Sequence, residues 1–99
     1  MKFYHATTEE NMRKILGDGV IKHSMGGVVF LCRNPIDACK FLVIRGYRKM
    51  CVVEVDLKKN EVDEPFDHSE AFFQCKAFIH NGDIYLNGNE KILEYSFDF

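Results

Sequence analysis

"FYHATTEEN", residues 3–11, decides how this chain is read, because it joins a short aromatic strand to a helix and leaves a histidine at the junction. Lys2 to His5 is expected to be extended, and Thr7 with Glu10 forms a T-x-x-E capping box that starts a helix. Met12, Ile15 and Leu16 follow at helical spacing and give that helix one apolar face. Gly17 and Gly19 stop it, and Gly19 is the better C-terminal cap because glycine enters the left-handed region without steric cost. His5 therefore stands at a strand end, just before helix N–H groups that lack partners. Two roles fit that place: an aromatic packed into the fold, or an imidazole facing a cleft. Thr7 and Thr8 are first of all helix caps.

Beyond this opening, Gly26 and Gly27 turn into "VVFLC" (28–32), a continuous apolar run of the kind found in buried strands. Asn34 and Pro35 open a second helix as N-cap and first helical residue, Ala38, Phe41 and Leu42 form its inner stripe, and Gly46 closes it. "MCVVEVDL" (50–57) is the strongest central strand, and 58–70 is an acidic surface loop containing Pro65. "KAFIH" and "DIYLN" flank Asn81-Gly82, a two-residue hairpin signal, since both turn positions tolerate positive φ. In the last segment Leu93, Tyr95, Phe97 and Phe99 share one face by alternation. The expected fold is a single α+β domain over residues 1–99, with two early helices and a largely antiparallel, strand-rich second half.

Composition narrows the function classes. The 99 residues suit one domain that buries roughly 60–65% of its unfolded surface. A net charge of −2 offers no basic excess to neutralise a phosphate backbone. A local patch at Arg45, Arg48 and Lys49 reads as a solvated helix end. Cys32, Cys39, Cys51 and Cys75 show no C-x-x-C spacing and lie in apolar segments, which argues for reduced thiols and no metal site. With neither a signal-like start nor an apolar run approaching about 20 residues, a cytoplasmic protein with no membrane partner is expected.

Three features carry candidate chemistry. His5 and its hydroxyl-bearing neighbours can present an imidazole and backbone groups to a cleft. Phe30 on the strand and Phe41 on the following helix can stack on a flat heterocycle, or can be plain core. Asp83, before "IYLN", can hydrogen-bond a sugar hydroxyl and stabilise positive charge on an oxocarbenium-like centre, or can be ordinary turn chemistry.

Taken in order, these segments resemble the ADP-ribosyltransferase superfamily. "YHATTEENMRKILGDGVI" is similar to its first motif, "GGVVFLCRNPIDACKFL" to its second, and "GDIYLNGNEKILEYSF" to the third motif and last strand of poly(ADP-ribose) polymerase-like domains. The short layout, with "VVEVDLKKNEVDEP" after the second helix, also resembles rifampin ADP-ribosyltransferases. The resemblance implies a largely antiparallel split β-sheet core and NAD as substrate. His5 would bond a ribose hydroxyl, the Ala6 backbone would pair with the carboxamide, and Thr7 would support that site. Phe30 would stand for the family's tyrosine, Phe41 would stack on nicotinamide, and Asp83 would replace the usual catalytic glutamate. The rifampin-type layout nominates Asp63 or Glu64 instead, and an alignment closer to DNA-modifying toxins puts Lys76 at the acid position. The expected activity is cleavage of the nicotinamide–ribose bond and transfer of ADP-ribose to a protein, nucleic-acid or small-molecule acceptor. The alternative is a module that binds NAD or ADP-ribose without turnover, in signalling or phage–host conflict.

Overall fold

A computed structural model describes residues 1–24, 26–64 and 77–98. The expectations for Pro65, Cys75, Lys76, Phe99 and the loop beyond Glu64 lie outside these residues. Among the described residues, seven strands and two α-helices follow in the order β1 (Lys2–Thr7), α1 (Glu9–Asp18), β2 (Val20–Ile21), β3 (Val28–Cys32), α2 (Pro35–Val43), β4 (Lys49–Asp56), β5 (Ala77–Asn81), β6 (Ile84–Tyr85) and β7 (Lys91–Ser96). One sheet runs β5-β3-β1-β4-β7 and a second pairs β2 with β6, all antiparallel. The protein is α+β with a mostly antiparallel sheet.

Helices on opposite faces of the large sheet create two cores. Phe3, Val29, Leu31, Val53 and Val55 project to the side where Met12 and Ile15 of α1 pack. Val52, Met50 and Cys39 make the other core, with Leu42, Leu93, Tyr95 and Phe97 against it. The run at β4 is continuous because both of its faces are covered: Val52 and Val53 are each fully buried. Such a valine contributes roughly 1.5–3 kcal/mol relative to exposure. The apolar alternation expected at Leu93, Tyr95 and Phe97 is present, and Tyr95 and Phe97 stack with centroids 6.2 Å apart.

Local signals explain the helix ends, with one shift in register. The cap of α1 is Thr8, whose hydroxyl accepts from the Asn11 N–H at 3.2 Å. Thr7 does not cap. It is the buried last residue of β1, and its Oγ1 accepts from the Asn11 side chain at 2.7 Å. Six-residue pairing of β1 with β4 holds Thr7 in the strand, so the cap falls one residue later. Leu16, expected on the apolar face, is exposed. Gly19 closes α1 at φ 70° with its N–H on the Ile15 carbonyl, as its position required. Asn34 caps α2 by accepting from Ile36 and Asp37, with Pro35 in the first turn.

The expected hairpin about Asn81-Gly82 does not form. β5 pairs with β3, whereas β6 pairs with β2, so the turn passes the chain from one sheet to the other. Gly82 does adopt positive φ, but its N–H bonds the Gly27 carbonyl at 2.7 Å, and Asp83 bonds His23. Those long-range partners divert the strand. In the loop after β4, Lys59–Glu61 forms a 3-10 turn, Val62 enters the core, and Asp63 exchanges both main-chain bonds with Ile79.

Replacing Asn34 by alanine removes the acceptor for two α2 N–H groups. The change should cost about 1 kcal/mol and lower Tm by roughly 4–8 °C. Thermal unfolding followed by circular dichroism measures it, and an unchanged Tm would show that the cap is energetically idle.

Candidate functional site

The sheet is not uniformly zipped. β1 matches β4 at six positions, from Lys2 opposite Asp56 to Thr7 opposite Cys51. Against β3 it is in register only at Tyr4 opposite Cys32. Past that pair His5 makes a side-chain link instead, its Nδ1 lying 2.9 Å from the Phe30 carbonyl. A carbonyl oxygen only accepts, so Nδ1 must carry the hydrogen and donate it. In the neutral ring Nε2 is then a lone-pair acceptor. Burial holds the His5 imidazole below its ordinary range, and the bond to Phe30 opposes that shift without cancelling it.

A cavity of about 400 Å³ lies beside this incomplete ladder, against α2, lined by Tyr4, His5, Ala6, Ser24, Phe30, Leu31, Cys32, Ala38, Phe41, Leu42 and Arg45. Four of the five expected ligand-binding residues, His5, Ala6, Phe30 and Phe41, meet here. Thr7 does not line it; it is buried on the side of α1. Phe30 is 45% exposed although it sits mid-strand, because its side chain faces this cavity and not a sealed layer. Phe30 and Phe41 contribute aromatic surface, Leu31 and Leu42 aliphatic surface, and His5, Ser24 and Arg45 polar groups. Ser24 Oγ donates to the Val28 carbonyl, which leaves its oxygen to accept.

The candidate acids lie elsewhere. Asp83 Oδ1 accepts from the His23 backbone N–H at 2.8 Å and lies 2.6 Å from His23 Nδ1. The backbone bond first, and the ring contact second, hold the Asp83 carboxyl below the usual carboxylate range. Asp83 is outside the cavity lining, although Ser24, the next residue after its partner, is part of that lining. Asp63 accepts from the Asn81 side chain at the outer edge of β5, and Glu64 is exposed; neither lines the cavity. Among the described lining residues there is no carboxylate. A second, more polar cavity of about 280 Å³, bordered by Lys2, Glu54, Asp56 and Glu90, contains none of the expected site residues.

Cys32, Cys39 and Cys51 are buried, and burial pushes the Cys39 thiol up to about 11, so it is unreactive at neutral pH. Among the described residues no group of three metal-ligating side chains converges. No helix among them is long and apolar enough to cross a membrane. Sequence reasoning did not find Ser24 or Arg45 as lining residues. From the sequence Arg45 reads as part of a solvated helix end, and the signal that points to the cavity is its place four residues beyond Phe41. Comparison with known protein families, with curated proteins and with solved structures finds no match to this chain.

Desolvation of His5 sets a pH dependence. Below about 6.5 the unfolded imidazole takes up a proton before the folded one does, so stability falls as pH drops from that value toward the lower folded one. Urea unfolding at pH 5 and pH 7.5 should show the parent losing more stability on acidification than His5→Gln, which lacks the titrating ring. Equal losses would mean that the ring is not desolvated.

Proposed function

We propose that the cavity between β1 and β3 binds a nucleotide of the NAD or ADP-ribose class. The observation that carries this is the convergence of His5, the Ala6 segment, Phe30 and Phe41 on one concave surface. Aromatic walls suit a flat heterocycle. A neutral Nε2 acceptor suits a sugar hydroxyl, which donates. The volume of about 400 Å³ falls in the ordinary range for small-ligand sites.

Binding without turnover is the reading this geometry favours. Cleavage of a nicotinamide–ribose bond builds positive charge on the sugar, and a nearby carboxylate is the usual means of stabilising it. The described lining offers none. ADP-ribosyl transfer is supported by one observation: Asp83 holds His23, whose neighbour Ser24 borders the cavity, so the carboxylate is within a short segment of it.

ADP-ribose or NAD should raise Tm with saturation, by the equivalent of about 2.7 kcal/mol at a hundred times Kd. No shift at millimolar concentrations of either would contradict the proposal. Nicotinamide release from NAD separates binding from transfer. Release by the parent that disappears in Asp83→Asn, with ADP-ribose binding retained, would establish transfer through that carboxylate. Because Asp83 also anchors His23, retained binding is the necessary control.

A further inference from the structure

We propose that Arg45 is the phosphate-contacting residue of this cavity, so that its ligand is an anionic nucleotide whose phosphate sits at the mouth; the inference rests on the nucleotide-binding reading above. Arg45 borders the cavity and is exposed. Among the described residues its guanidinium forms no ion pair, although Lys2, His23 and Lys40 each have a carboxylate within 4 Å. With no carboxylate in the described lining and His5 held neutral, Arg45 is the formal charge of that surface.

Its position is built, not incidental to a loose end. The chain leaves α2 through a closed turn in which the Arg45 and Tyr47 N–H groups both bond the Leu42 carbonyl, and Gly46, at φ 94°, bonds Val43. Leu42 itself lines the cavity, so the same carbonyl that ends the helix fixes where Arg45 begins. The helix C-terminus favours any cation nearby. That preference does not require one on the same cavity as Phe41 with its fork of donors unengaged among the described residues.

The size of the cavity assigns the remaining parts of the ligand. A volume of about 400 Å³ lies toward the lower end of the range for small-ligand sites. It suits a base and its ribose, with the base on the aromatic surface and a ribose hydroxyl donating to His5 Nε2. The phosphate then lies outward, where a planar guanidinium can engage two oxygens at once.

Calorimetric titration of ADP-ribose and of adenosine, at low and at physiological salt, tests the assignment in the parent, Arg45→Gln and Arg45→Lys. For ADP-ribose, Arg45→Gln should weaken binding roughly 10- to 100-fold and flatten the salt dependence. Arg45→Lys should recover part of the loss, because it restores charge without the fork. Adenosine, which shares the base and ribose of ADP-ribose but carries neither phosphate nor charge, should bind all three proteins alike. ADP-ribose binding that survives Arg45→Gln unchanged overturns the assignment and leaves the cavity reading intact. An equal loss for both ligands also overturns it, by showing that Arg45 only maintains the fold. If neither ligand binds the parent, the cavity reading itself fails and the assignment falls with it.

Discussion

The hydrogen bond from His5 Nδ1 to the Phe30 carbonyl is the constraint on which the rest of the site depends. β1 is the middle strand of five, and the cavity is formed by β1 and β3 together with α2. Register with β3 is found only at Tyr4 opposite Cys32, and the imidazole supplies the next link. A side chain in that role gives a strand carbonyl a partner beyond the one matched position of β1 with β3. It also fixes the tautomer, and with it the chemistry of Nε2. Stability comes from the other side of β1, where six matched positions with β4 and the buried valines Val52, Val53 and Val55 hold the strand in place.

Among the described residues the cavity lining carries no carboxylate, and Asp83, Asp63 and Glu54 are engaged elsewhere. Asp83 is held by His23, Asp63 by Asn81, and Glu54 by the Tyr4 hydroxyl at 3.0 Å. Each of these three acids has its own partner. A surface with an aromatic wall, a neutral imidazole and one guanidinium is suited to holding a negatively charged, hydroxylated ligand. It is less suited to stabilising a sugar cation, for which negative charge is needed in the transition state.

Local rules made much of the fold legible. Asn34-Pro35 and Gly19 act within a few residues of themselves, and the structure places both where those rules require. The T-x-x-E pattern misled by one residue, because pairing with β4 extends β1 through Thr7 and leaves capping to Thr8. Asn81-Gly82 misled more seriously. It does turn, but a turn signal says nothing about which strands lie on either side, and the bonds from Gly82 to Gly27 and from Asp83 to His23 are made 55 and 60 residues away in sequence. The same reasoning explains the site. His5, Ala6, Phe30 and Phe41 belong to two contiguous stretches that can be read directly, whereas Ser24 and Arg45 enter only once the sheet opens and α2 closes its final turn. Phe30 could not be told from a core residue by periodicity, since a strand facing a cavity and one facing a sealed layer carry the same apolar run.

The central claim is that His5 is neutral, donates from Nδ1 and keeps Nε2 as an acceptor for a ligand. Nitrogen-15 NMR of the imidazole at neutral pH, with and without ADP-ribose, measures this most directly. The account predicts that the His5 ring is protonated at Nδ1 in the free protein and that its Nε2 resonance moves on addition of ADP-ribose as a hydrogen bond is accepted. A ring protonated at Nε2, or an Nε2 resonance unmoved by ADP-ribose, would contradict it.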